Sequence, residues 1–360
     1  MDEIPAYEPS GEGPHLYVRF KKTNLTTDEV VKAFARALRV DRRDIGVAGL
    51  KDKVGVTTQW ISILAEDTTL DERVATLALD GVELLEQRRH RNKLKTGHLD
   101  GNRFTIVVRD IDQARAGEVV TALERIGTEG VPNAFGSQRF GYDGDTHERA
   151  RAWLTGKERA PGDPRLRRFH FSALQSAIFN AVLDHRVEDG TWNVPILGDL
   201  LKKEDTGGLF VCTDVQLDRE RAKRGEVCPT GPIVGDRMRQ PEAEAFDLEQ
   251  RITLPLIEGI DLRRARSLGE GTLRPLRLRV AELSQTLVDS SLHEAGSSPD
   301  VSGSPGVCAM TVRFVLPKGA YATTVLSNAF AVLDAGRPSG SSERPYEREE
   351  RQLATLTEEE

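Results

Sequence analysis

Asp52 lies in the run Ala48-Gly49-Leu50-Lys51-Asp52-Lys53, ahead of a strand-like stretch, Thr57-Thr58-Gln59-Trp60-Ile61-Ser62-Ile63-Leu64. A carboxylate flanked by two lysines stays ionised near neutral pH, because opposite charges within about 4–6 Å lower an Asp pKa by roughly 1–3 units. An ionised Asp is a poor general acid, but it can attack carbon or accept a proton. The same residues equally describe a solvated turn leading into a strand. Lys51 reads either as a phosphate ligand or as an electrostatic partner of Asp52.

Other chemistries leave weaker traces. Cys212, Cys228 and Cys308 form no Cys-x-x-Cys pair and read as buried or isolated thiols of a reducing compartment. The seven histidines are dispersed without His-x-x-x-His spacing, so no metal site is expected. Asp143-Gly144-Asp145 is the pattern of a plain turn. The Gly-rich loops of nucleotide hydrolysis and dinucleotide binding are missing, which turns expectation away from both.

The elements that must position Asp52 can be read from periodicity. His15–Phe20 alternates as a half-buried strand does, and Thr26 with Glu29 makes a capping box for a helix carrying Val30, Val31, Phe34, Ala35 and Leu38 on one face. A helix is predicted from about Leu70 to Leu79, then Val82–Leu85, a basic run, and a strand over Arg103–Arg109. Further helices are predicted from about Asp112 to Ile126 and from a second capping box, Ser172-Ala173-Leu174-Gln175, to about Arg186. Residues 187–240 suggest short elements between turns, and 284–306 an exposed connection. A strand at Met310–Phe314 and a helix from Tyr321 to about Leu333 precede a polar tail expected to be disordered. Strands and helices mixed in this way indicate an α+β protein, and at 360 residues two domains are expected.

Charge bears on the partner. The net charge is −7, yet 341–360 holds seven Glu and three Arg, so the other 340 residues carry only −3. Basic residues cluster within that body: five Lys/Arg in Arg88–Lys95, then Arg165, Arg167 and Arg168, then six arginines between Arg263 and Arg279. Such clusters attract phosphate whatever the total charge, although each also reads as a solvated face. No run approaches the roughly 20 apolar residues of a membrane span, and the acidic start shows no secretory signal, so a cytoplasmic location is expected.

Six segments, taken together and in order, resemble the tRNA pseudouridine synthase D (TruD) family. They are Gly11–Leu16; Ala48–Lys53 with Thr57–Trp60; Gly97–Phe104; Val131–Gly141; Ser172–Ser176; and Leu316–Thr323. The resemblance implies a catalytic domain of the pseudouridine-synthase fold with a mixed β-sheet, interrupted by an inserted α/β TRUD domain. In residues this gives 1–129 for the first part of the catalytic domain, 130–300 for the insertion, 301–335 for the return and 336–360 for the tail. It implies conversion of uridine, at position 13 of tRNA by family precedent, to pseudouridine without a cofactor or metal. Asp52 falls on the catalytic nucleophile, and Asn102, Phe104 and Tyr321 on substrate-contacting positions, with Lys51 beside them. His98, Gln138, Arg139 and Gln175 lie in the motifs without individual roles. The family also carries a segment ahead of the equivalent of Met1, ending in an Asp-Phe strand whose Phe binds substrate, and Leu-Arg-Glu where Leu326-Ser327-Asn328 stand here. The competing expectation is an RNA-binding or RNA-folding module without chemistry. The sequence is silent on oligomeric state.

Overall fold

In a computed structural model of the protein, residues 1–65, 68–141, 143–288 and 306–331 are described. The alternation seen in His15–Phe20 reflects a strand that packs on both faces. Leu16, Val18 and Phe20 point to one side, where Val30, Val31, Phe34 and Leu38 of the capped helix meet them, with Phe20 and Phe34 rings 5.8 Å apart. Tyr17 points to the other side, into a smaller cluster with Trp60, Leu94 and Leu99. Burying one such Phe contributes roughly 1.5–3 kcal/mol, so this helix face anchors the first unit.

In chain order the elements begin β1 (Asp2–Pro5), β2 (His15–Thr23), α1 (Thr27–Leu38), β3 (Ile45–Val47), β4 (Val56–Leu64), α2 (Thr69–Ala75), β5 (Val82–His90), β6 (Leu99–Asp112) and α3 (Ala116–Glu129). Next come β7 (Val131–Pro132), α4 (Thr146–Leu154), α5 (Pro164–Glu188), β8 (Leu200–Lys203), β9 (Leu209–Val211), α6 (Val215–Lys223), β10 (Val227–Ile233), α7 (Ala243–Ile257), β11 (Thr272–Pro275) and β12 (Arg277–Leu278). The last are β13 (Ala281–Val288), β14 (Val307–Pro317) and α8 (Ala322–Leu326). Contacts divide the chain into two units, one of Met1–Leu123 with Ala281–Ala320, the other of Glu124–Val280 with the stretch beginning at Tyr321.

The first unit is built on an eight-stranded sheet of order β13-β14-β6-β1-β4-β2-β5, with β3 also on β4. It is mixed: β1 runs parallel to β4, while the other pairs are antiparallel. Strand β1 therefore lies inside the sheet, although Asp2-Glu3-Ile4-Pro5 has no strand-like pattern. Its register places Glu3 opposite Asn102. Gly101 lets β14 approach here, since a Cβ at that position would meet the Leu316 carbonyl at 2.2 Å.

Several expected elements differ in extent. Helix α2 ends at Ala75 rather than Leu79, because Leu79 pairs with Val82 across the Asp80-Gly81 turn. Strand β5 runs on through Arg88, Arg89 and His90, each opposite a residue of β2. The capping box proposed at Ser172 lies inside α5, which starts instead with Asp163 as cap and Pro164 in its first turn. Ser172 Oγ donates to the Phe169 carbonyl, and Gln175 Nε2 donates 2.7 Å to the Val234 carbonyl. The supposed connection from residue 284 opens as strand β13 to Val288, and the helix at Tyr321 is shortened to Ala322–Leu326. The remainder of that connection, 289–305, and the tail from 332 lie outside the described residues.

In the second unit α5 buries Phe171, Leu174, Phe179 and Leu183, and the sheet of order β11-β10-β8-β9 accompanies it. Arg186 forms a buried ion pair with Asp199 at 2.9 Å. Glu249 sits close by, and burial, reinforced by the Asp199 charge and opposed by Arg186, pushes its carboxyl up to about 8. An acid whose folded pKa exceeds its unfolded value loses stability as pH rises between the two. Glu249→Gln removes that dependence: by calorimetry the variant melts at least about 4 °C above the parent at pH 9, with the gap closing at pH 5.

Candidate active site

The loop between β3 and β4 carries Asp52, and the strands and helix around it hold its backbone. Thr27, the first residue of α1, accepts the Lys51 N–H at 2.9 Å and donates to Gln59 Oε1 at 2.9 Å. Gln59 in turn donates to the Gly49 carbonyl at 3.4 Å. Further along, Asn24 and Gly55 exchange two bonds of 3.1 Å. The Asp52 carbonyl itself accepts from Lys22 Nζ at 2.6 Å. Lys22 follows Leu16, Val18 and Phe20 at the two-residue period of β2, so it enters the α1 face of the sheet and is fully buried there. Burial lowers its pKa, while the charges of Asp52 and Glu29 act to raise it and Lys51 lowers it further.

The flanking lysines do not embrace Asp52 as the sequence suggested. Lys51 turns inward, where its Nζ lies 2.9 Å from Glu3 Oε2 and 2.8 Å from Asn102 Oδ1, with the Lys51 and Glu3 side chains almost wholly excluded from solvent. Lys53 pairs with Glu29 at 3.2 Å. Glu29 is held down to about 2, first by the Thr26 N–H of the capping box and then by Lys53 and the Thr26 hydroxyl. The reason is competition: each lysine is drawn to a carboxylate that is already fixed, whereas Asp52 is exposed. Among the described residues no ion pair or hydrogen bond engages the Asp52 carboxylate, and its oxygens are available to a ligand.

Lys51 has a second effect. An ammonium only donates, so the amide atom of Asn102 facing it is the oxygen, and the NH₂ group keeps both its hydrogens for another acceptor. Two residues along the same face of β6 stands Phe104, half-buried, stacked on the fully buried Phe314 with centroids 5.4 Å apart. The first unit thus brings Asp52, Lys51, Asn102 and Phe104 into one neighbourhood. Tyr321 is grouped with the second unit, as is Arg274. Arg274 lies 4.1 Å over the Phe135 ring and donates to Asn133 Oδ1 at 2.6 Å; burial, reinforced by Arg139, lowers it to about 10. Arg139 donates to Ser176 Oγ at 3.3 Å, and His98 bonds the Tyr7 hydroxyl at 2.7 Å.

Glu3, Lys22, Thr27 and Gln59 escaped the sequence reading. Lys22 left a signal, a lysine at a core position of an alternating strand; Glu3 left none. Among the described residues no group of three or more His, Cys, Asp or Glu could hold a metal ion, and no helix is long and apolar enough to cross a membrane.

The family model for tRNA pseudouridine synthase D (TruD) matches residues 1–160 and 162–329. The chain belongs to the tRNA pseudouridine synthase D family. A tRNA pseudouridine synthase D of Anaeromyxobacter sp. (strain Fw109-5) is 43% identical over 334 residues, covering 91% of this chain and 88% of the relative. The Thermus thermophilus relative of the same name is 36% identical over 333 residues, covering 92% and 86%. A solved structure of a tRNA pseudouridine synthase D candidate from Methanosarcina mazei superposes with a TM-score of 0.76, covering 92% of this chain and 91% of that one at 24% identity, and so shares the fold.

The buried pair makes a prediction within this family framework. Lys51→Met strands the Glu3 carboxylate and costs about 3–5 kcal/mol in urea unfolding, most of which Glu3→Gln added to it restores. Equal losses in the single and double variants would show that the pair is not coupled.

Proposed function

We propose that the protein isomerises a uridine of tRNA, at position 13 by family precedent, to pseudouridine, with Asp52 as the attacking carboxylate and without a cofactor. The protein is a tRNA pseudouridine synthase, an isomerase. The observation that carries the Asp52 assignment is an exposed carboxylate on a backbone clamped by buried side chains, beside an amide whose two donors are unused. Preorganisation of this kind places the reacting group without cost at the moment of reaction.

The reaction breaks the bond between the sugar and uracil N1, turns the base and joins the same sugar carbon to C5. Uracil N1 gains a hydrogen, C5 loses one, and substrate and product have the same composition. No electrons are exchanged with a second reactant. Asp52 begins by attacking the sugar or the base, and either route requires it ionised. In this reading Asn102 donates to a uracil carbonyl and Phe104 offers its accessible ring face, a stacking interaction worth about 1–3 kcal/mol. Lys51 acts on the substrate through the orientation it imposes on Asn102. Together these contacts offset the few kcal/mol needed to extrude a uridine from structured RNA.

Asp52→Asn keeps the shape of the side chain and removes the lone-pair charge. It lowers pseudouridine formation on uridine-labelled tRNA by about a thousandfold or more, equivalent to about 4 kcal/mol of barrier, while tRNA still binds. Wild-type protein that binds tRNA but forms no pseudouridine would instead favour a non-catalytic RNA-binding module. Lys22→Met, which releases the Asp52 carbonyl, lowers kcat by about tenfold to a hundredfold with little change in KM.

A further inference from the structure

A groove of about 620 Å³ opens on the first unit between the start of β2, the end of β5 and the turn ahead of β6. It is lined by His15, His90, His98, Arg91, Lys93 and Lys95, with Tyr7 and Glu8 at its side. The basic run of residues 88–95 is sorted around it. Arg88 is paired with Glu86, Arg89 with Asp71, and Arg91 with Glu12. Lys93 Nζ meets only a carbonyl, that of Arg43, and Lys95 has no carboxylate partner among the described residues. The uncompensated charge of the run is therefore delivered to the two lysines that line the groove.

The hydrogen-bond pattern also fixes the histidines. Ser10 N–H donates to His90 Nδ1 at 3.1 Å, so the His90 proton is on Nε2, a donor. Tyr17 donates to the Asn92 carbonyl at 3.0 Å, so Tyr7 is the donor in the 3.2 Å contact between the two hydroxyls. The proton in the 2.7 Å bond between Tyr7 and His98 then belongs to His98 Nδ1. His90 and His98 are each held by one nitrogen and keep the other for a ligand, whereas the buried His15 Nδ1 has no hydrogen-bond partner among the described residues. His15 and His90 are depressed chiefly by burial and then by Lys93 and Arg91, respectively, which register the positive field of the groove.

We propose that this groove receives a backbone phosphate of the RNA strand, with Lys93, Lys95 and His90 Nε2 as donors, at a point remote from Asp52. The proposal rests on the reading of RNA as substrate. Remoteness follows from register: β2 carries His15 opposite Leu64 at one end and Lys22, the neighbour of Asp52, opposite Thr57 at the other. Seven residues of strand span about 23 Å. A single nucleotide cannot cover both places, so a ligand that reaches Asp52 and also fills the groove is a polymer, and the groove is then a footprint for the body of the RNA.

The test compares the parent with Lys93→Ala/Lys95→Ala, two surface changes whose thermal melting is expected to match the parent. Binding to full-length tRNA is measured against salt in an Asp52→Asn background, so its outcome is independent of whether Asp52 performs the chemistry. Affinity falls about tenfold near 0.1 M salt, and the slope of log affinity against log salt shrinks by about 1–2. With Asp52 intact, KM for tRNA rises and kcat holds, whereas a short hairpin carrying the target uridine reacts equally with both proteins. An unchanged salt slope would overturn the proposal. So would an equal loss on the short hairpin, which would bring the lysines to the reacting base. Inorganic phosphate that binds parent but not variant, with tRNA affinity unaltered, would make the groove a free-anion site and overturn it too.

Discussion

The contact between Lys51, Glu3 and Asn102 holds the first unit to one arrangement. It joins the loop that carries Asp52 to β1 and to β6, and all three side chains come from distant stretches of chain. Burying two opposite charges costs more in lost hydration than their attraction returns unless every remaining oxygen and hydrogen is used. Here Glu3 Oε1 accepts the Trp60 N–H at 3.2 Å and the ammonium donates to the Asn102 oxygen, while Glu3 Oε2, 2.9 Å from the ammonium, accepts no hydrogen bond and depends on that charge alone. A pair so confined tolerates no slip of β1 against β6, because a one-residue shift would carry Glu3 to the opposite face of the sheet.

From that constraint the division of labour among the lysines follows. Lys51 is committed to the interior, Lys53 to Glu29 on the capped helix, and Lys22 to the Asp52 main chain. Three lysines therefore surround the loop, and among the described residues none of them occupies the Asp52 carboxylate. A salt bridge directly on that group would hold it ionised but also cover it. A lysine placed at the main-chain carbonyl instead fixes the backbone and leaves the carboxylate oxygens open. The same economy recurs in the basic run, where pairing of Arg88, Arg89 and Arg91 leaves Lys93 and Lys95 to face the groove.

Much of the fold was legible. The capping box at Thr26 and the apolar face of α1 were both readable, since each depends on residues three or four apart. Strand β2 and the central part of β6 declared themselves by alternation. The Ser172 pattern misled for an equally local reason: a serine followed three residues later by glutamine also occurs inside a long helix, and only the earlier Asp163-Pro164 pair marks the true start. The short β1 had too few residues to show a period. Its pairing on both sides, rather than its composition, makes it a strand.

By itself the sequence determined the class of fold, the family and the residues around which a site was expected, because ordered motifs and short-range periodicity survive in one dimension. Only the tertiary structure decided the partners of each charge. The interactions of Glu3 with Lys51 and of Lys51 with Asn102 cross 48 and 51 residues, and no local pattern encodes a contact made by folding that distance of chain. The sequence therefore showed Asp52 between two lysines, and the fold moved both away from it, because each found a better-fixed carboxylate elsewhere.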